Sequence, residues 1–285
     1  MVEAIELALE GAPEAGFDLR LVDTSSDPDH DRSVFTVLGE SSALIDGMLR
    51  MFEVALDQID LARHRGVHPR VGVVDVVPFV PVVEADGIEA AVAAARELGR
   101  RVGESLGVPV FLYGAARQRD ELAVPAALRS LSCEALAEAM EKGCTKPDFG
   151  PTRLDPRRGV SLIGARRPLI AFNVWLDSDR VDIARSIAAR VRASGGGLAA
   201  VQAIGVSLKS RGKAQVSLNL LDYRVTSMYE AAAAVWREAE VEGVGILGSE
   251  IVGLVPRAAV EWERIESLCL LERFGEWKVL ESHLG

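Results

Sequence analysis

"HRGVHPRVGVVDVVPFVP", residues 64–81, sets two histidines and two arginines directly ahead of a valine-rich apolar run. Gly66 and Pro69 break any helix that precedes them and confine the backbone around His68 to turn geometry. The run that follows, 71–82, is rich in β-branched residues and ends at prolines, so it is expected to be a buried strand. A strand of this kind needs a core around it, and the flanking sequence supplies one.

Upstream, 18–23 and 33–39 read as two short strands joined by the turn-forming stretch TSSDPDHDR. Ser41 then opens a helix in which Ile45, Met48, Phe52, Ala55 and Ile59 recur at three- and four-residue steps. Downstream, Asp86 begins a second helix closed by Gly107, and VPVFLYG forms another buried strand ending at Gly114. A helix is expected over 134–142. The stretch 144–167 carries three prolines and three glycines with little periodicity, and reads as an ordered loop bridging two lobes.

The second lobe begins with the strand PLIAFNVWL. Asp177 or Ser178 is expected to cap a helix over 180–197, whose terminal glycines allow a left-handed exit. VQAIGVSL and AQVSLNLLDY are strands about a KSRGK turn. A helix follows over 227–242, then GVGILGSEIVGLVP as strand and turn, a final helix and a polar end. The expected fold class is α+β. Two α/β subdomains, 1–167 and 168–285, each carry a mixed sheet with helices packed on it.

The chain has 285 residues and a formal net charge of −10. That balance argues against a nucleic-acid or anionic-membrane surface, both of which need a basic face. Arginine pairs such as Arg157–Arg158 within an acidic chain suggest a local site for a small polyanion. Three cysteines, Cys133, Cys144 and Cys269, lack any zinc or disulfide spacing. The start, MVEAIELALEG, lacks signal-peptide character, and no run is long and apolar enough for a membrane span. A cytoplasmic protein with no bound metal is the expectation.

An imidazole titrates near neutral pH and suits proton transfer at an amine. His68 is therefore a candidate for chemistry, and equally a satisfied turn histidine. His64, at a helix end, fits a capping role. The residues around His68 resemble the central motif of the formiminotransferase family. VFLYGAAR at 110–117 and PDFGPTRLDPRRGVSLIGAR at 147–166 are similar to that family's next strand and its folate-contacting loop. PLIAFNVWL, AIGVSL, QVSLNLLDY and GSEIVGLVP follow in the family's order.

The resemblance implies a groove between the subdomains, a homodimer, and transfer of a formimino group from formiminoglutamate to tetrahydrofolate as co-substrate. It makes His68 the catalytic residue and Arg32 a binder of a substrate carboxylate, with a turn-stabilising hydrogen bond as the alternative for Arg32; Arg70, close to His68 in sequence, is the second candidate for a carboxylate. It assigns Gly150, Pro151, Thr152, Arg153, Arg157, Arg158 and Gly159 to folate. Against the family pattern, the opening strand reading Val-Pro-Asn-Phe-Ser-Glu-Gly is missing. Ser25, Asp31, Val67, Asp155 and the stretch RSLSCE at 129–134 also depart from it. The alternative these departures motivate is a folate-binding or dimeric structural protein that has lost turnover.

Overall fold

The computed structural model describes residues 1–10, 19–82, 87–120 and 125–284, without the side chains of 126 and 127. The described residues form seven α-helices and nine strands, and group into two compact units. The first unit is Met1–Val22, Val37–Arg65 and Pro69–Arg166. The second is Asp23–Thr36, Gly66–His68 and Arg167–Gly285.

In the first unit, β3 (Val76–Phe79), β4 (Val110–Gly114) and β5 (Ser161–Ala165) form a parallel sheet in the order β3-β5-β4. The crossover between β3 and β4 is α3 (Gly87–Ser105), as parallel strands require. Helix α3 lays a stripe of small residues, including Ala91, Ala94, Ala95, Gly99 and Gly103, against the sheet. The stripe lets α3 sit close: a β-carbon at Gly103 would lie 2.6 Å from the Gly150 nitrogen. Behind α3 stand α2 (Ser41–Gln58) and then α1 (Val2–Glu10). The other sheet face packs Phe111, Tyr113 and Leu162 against Leu128, Leu136 and Met140. Leu128 belongs to α4 (Ala126–Arg129), Leu136 and Met140 to α5 (Cys133–Glu141). Cover on both faces explains why the strands read as continuous apolar runs.

In the second unit, β7 (Val201–Leu208), β8 (Lys213–Leu220), β6 (Ile170–Leu176) and β9 (Ile246–Val252) form an antiparallel sheet in the order β7-β8-β6-β9. One face buries Phe172, Val174, Val216 and Leu218 under α6 (Val181–Val191) and α7 (Met228–Val241). Ser227 begins α7 with a capping box: its hydroxyl accepts from the Glu230 amide while the Glu230 carboxylate accepts from the Ser227 amide. The remaining strands, β1 (Leu19–Asp27) and β2 (Arg32–Gly39), pair as a hairpin. No described helix is long and apolar enough to cross a membrane.

Four sequence expectations change. The strand expected over 71–82 shortens to Val76–Phe79. The Asp75 carboxylate accepts the Val71 amide at 2.8 Å and bends the chain there, while Gly72 bridges Gly159. The supposed loop 144–167 contains β5, the central strand of its sheet, with all five residues buried. Its glycine fits because Gly164 faces the Tyr113 ring, which a β-carbon would meet at 2.5 Å.

Neither Asp177 nor Ser178 caps α6, which begins after Arg180; Asp177 instead pairs with Lys213 at 2.6 Å. The tail has 3-10 turns in place of a helix. Two of its amides are taken elsewhere: Leu271 donates to Ser249 and Leu280 to Val255, so the tail runs along β9 and its continuation. The expected start at Asp86 lies outside the described residues, and Gly107 does follow α3 with φ 65°.

The approach of α6 to β7 depends on Gly205, where a β-carbon would sit 2.3 Å from the Arg185 amide nitrogen. Gly205→Ala is expected to cost about 1–3 kcal/mol by overpacking. Urea unfolding measures it; an unchanged midpoint would contradict this contact.

Candidate functional site

Two neighbourhoods carry the sequence-predicted residues. His68 and Arg32 belong to the second unit; Arg70 and the 150–159 loop belong to the first. The chain therefore changes unit at Gly66 and again at Pro69.

In the second unit, the turn joining β1 to β2 fixes the surroundings of His68. Asp27 closes that turn. Its Oδ1 accepts the His30 backbone amide at 2.8 Å and lies 3.3 Å from His30 Nδ1. Asp31 follows with φ 49°, a left-handed conformation that Asp tolerates better than most residues. Asp29 makes three contacts from this turn. Its carboxylate accepts from the Ser210 amide at 2.8 Å and hydroxyl at 2.6 Å, and its carbonyl accepts the Val67 amide at 3.1 Å. Burial pushes the Asp29 carboxyl up, but the Ser210 hydrogen bonds and the Arg211 charge outweigh it, and its proton affinity falls below the usual 3.8.

The Val67–Asp29 bond holds the residue next to His68. The half-buried His68 ring then meets the buried His30 ring at 77°, with centroids 5.8 Å apart. Burial is the main reason His30 is harder to protonate than an ordinary histidine. Arg32 acts in the same direction, and Asp27, Glu250 and Asp29 oppose it. Arg32 thus lies close enough to bear on the His30 imidazole.

Glu250 projects from the face of the β7-β8-β6-β9 sheet that turns away from the helices. Its Oε1 accepts from Asn173 and Gln215, each at 2.9 Å. Asn173 is 3% exposed and Gln215 0%, so these two polar side chains on the second face are buried. Arg211 stacks 4.4 Å over the Trp175 ring and reaches Asp27 at 3.3 Å. Fixed donors, a carboxylate and two imidazoles in one region can bind a polar, nitrogen-containing group and move protons on it.

In the first unit, Arg70 lines a cavity of about 180 Å³ with Pro69, Arg129, Leu131, Ser132, Cys133 and Glu134. Arg129 is held by the Pro69 carbonyl at 3.1 Å and the Asp75 carboxylate at 3.0 Å. Arg70 keeps a buried Nε with no hydrogen-bond partner. A buried guanidinium N–H without an acceptor suits a carboxylate ligand. Burial pushes the Cys133 thiol up, so it stays protonated.

The 150–159 loop is largely satisfied by its own chain. Asp155 accepts the Arg157 amide at 2.9 Å, a local turn contact. Arg153 pairs with Glu141 and Arg157 with Asp60, both at 3.5 Å, and Arg158 donates to the Leu106 carbonyl at 3.2 Å. The Arg153 and Arg157 pairs are exposed on the arginine side, so their partners exchange at little cost. Gly159 has φ 73°, and a β-carbon there would strike the Val71 carbonyl at 2.2 Å. Packing against 71–72 thus accounts for this glycine. Among the described residues, no group of three or more His, Cys, Asp or Glu is placed to hold a metal ion.

Sequence reading missed His30, Asp27, Asp29 and the Asn173–Gln215–Glu250 group. A signal existed for some of them. DPDHD is unusually rich in ionisable residues for a hairpin turn, and Asn173 interrupts an otherwise apolar strand.

Comparison with known proteins matches two successive stretches of the chain. Residues 1–166 match the formiminotransferase domain, N-terminal subdomain, and 171–262 match the formiminotransferase domain. The chain is 43% identical to a glutamate formimidoyltransferase of Thermoplasma acidophilum, covering 93% of this chain and 88% of the relative. It is 37% identical to that of Streptococcus pyogenes serotype M1, covering 100% and 98%. Similarity to the formimidoyltransferase-cyclodeaminase of Gallus gallus is 38%, over all of this chain and 54% of that longer protein.

The His30 environment makes stability depend on pH. Burial holds its folded proton affinity below the ordinary 6.5, so the unfolded chain binds this proton more readily. This contribution is full above about pH 6.5 and is lost as the pH falls below it. His30→Gln should flatten the decline in urea midpoint between about pH 7.5 and 5.5. A variant declining as steeply as the parent would show that His30 is not the group concerned.

Proposed function

The chain belongs to the formiminotransferase family, and from that membership we propose that it transfers a formimino group from N-formimino-L-glutamate to tetrahydrofolate. The observation that carries this reading is the match of both formiminotransferase subdomains in order, with relatives named for this activity aligned along nearly their whole length. Tetrahydrofolate is a co-substrate consumed in each turnover. The subdomains are assigned to 1–167 and 168–285, acting as a cytoplasmic homodimer with no nucleic-acid partner.

The chemistry is an exchange of amines at one carbon. The ring amine of tetrahydrofolate attacks the formimino carbon, forming a C–N bond and a tetrahedral intermediate. That intermediate collapses by breaking the C–N bond to glutamate. The attacking amine must lose a proton and the departing glutamate nitrogen must gain one, so the net proton change is zero. A single imidazole can perform both transfers, and His68 is assigned that role. Its support is positional: a turn bounded by Gly66 and Pro69, anchored through Val67 to Asp29.

Glutamate also brings two carboxylates. Arg70, with its unpartnered buried Nε, suits one of them, and Arg32 is assigned another. Gly150, Pro151, Thr152, Arg153, Arg157, Arg158 and Gly159 are assigned to folate. The arginines among them would trade weak surface partners for the carboxylates of a polyglutamate tail.

The decisive assay follows the absorbance of 5-formimino-tetrahydrofolate with both substrates present. Purified protein should turn over, and His68→Ala should reduce kcat by about 10²–10⁴-fold. Arg70→Ala should instead raise KM for the donor roughly 10–100-fold, the worth of one charge-assisted hydrogen bond. Absence of both product formation and reduced-folate binding by the parent protein would defeat this reading.

A further inference from the structure

His30 is more deeply buried than a turn residue needs to be. It is 3% exposed, and its Nε2 has no hydrogen-bond partner in the interior. Such an atom calls for a reason. The other side of the ring is committed. Asp27 takes the His30 backbone amide and faces Nδ1, a geometry that keeps the ring proton on Nδ1 and leaves Nε2 a lone-pair acceptor. Asp27 is itself held by Arg211 at 3.3 Å. The neighbouring ring is that of His68.

We propose that His30 is a positioning residue for His68. With its own proton held by Asp27, it offers Nε2 as an acceptor to the N–H of a protonated His68. The contact orients the His68 ring and favours its charged form. No proton leaves either ring in this contact; it is a hydrogen bond that forms when His68 carries its proton and loosens when it gives the proton up. Catalytic hydrogen bonds are commonly longer in the unliganded state than in the working complex, so the present ring spacing fits a contact that tightens during turnover.

The charged groups bearing on His30 are Asp27 and Asp29 from the turn, Arg32 from β2 and Glu250 from β9. Burial keeps His30 neutral among them. A neutral partner is what the role requires, since a second imidazolium would repel the first. The inference rests on the reading of His68 as the proton carrier.

The test is a pH titration of the side-chain imidazoles by nitrogen-15 NMR on the full-length protein. The chain has only four histidines, which single substitutions assign. In His30→Phe, which keeps a ring but loses the acceptor, the His68 midpoint should fall by roughly half to one pH unit. His30→Gln restores an acceptor and should recover most of the shift. The acid limb of the kcat/KM profile should move with the midpoint, which simple loss of packing would not cause.

If His30→Phe does not fold, Asp27→Ala gives the same reading, because it releases the ring proton from Nδ1 and should lower the His68 midpoint too. A His68 midpoint unchanged in the folded variants overturns the inference and leaves the role of His68 intact. Full turnover by His68→Ala removes the proton-carrier role instead, and the NMR result is independent of that outcome.

Discussion

One residue, Asp29, ties together the parts on which the proposed chemistry depends. Its carboxylate binds the backbone and hydroxyl of Ser210, at the turn between β7 and β8. Its carbonyl binds Val67, beside His68. Three chain segments, distant in sequence, are fastened within hydrogen-bond reach of a single side chain and its own peptide. The hydrogen bonds keep the carboxylate charged and the charge strengthens the bonds, since charged acceptors bind N–H and O–H groups more strongly than neutral ones. The region around His30 and His68 inherits its geometry from this clamp.

The sheet of the second unit has two faces of opposite character. One is closed by helices over Phe172, Val174, Val216 and Leu218. The other buries Asn173 and Gln215, which donate together to Glu250. Polar groups that are buried yet hydrogen-bonded specify position more than they add stability, because each group tolerates only a partner of the right kind and direction. The first unit spends its close approaches differently. Small residues on α3, and glycines at 72, 159 and 164, bring backbones together and leave a parallel sheet covered on both sides. Within that unit a cavity holds Arg70 and Arg129, cationic groups in a chain whose net charge is −10.

Most elements were legible from periodicity alone. The face formed by Ile45, Met48, Phe52 and Ala55 is the buried face of α2. The KSRGK stretch is the turn between β7 and β8, with Gly212 at φ 61°. Elements were misread where local composition and tertiary context disagree. SLIGA looks like part of a Gly- and Pro-rich loop, yet it is a central strand, because neighbours on both sides complete its hydrogen bonds. The tail looks helical, yet β9 and its continuation take the Leu271 and Leu280 amides. Asp177 looks like a cap, yet Lys213 claims its carboxylate.

The sequence by itself determined the two-part α+β architecture, the ordered family motifs, and His68 on a turn at the entry to the valine run. It did so because periodicity, turn chemistry and motif order are properties of neighbouring residues. Only the tertiary structure decided that Gly66–His68 joins the second unit while Pro69 returns to the first, and that the partner ring of His68 is His30. It also decided that Asp29 meets Ser210 across a separation of 181 residues. Those contacts are set by which surfaces can be buried together at the lowest cost, a property of the whole chain that no local pattern records.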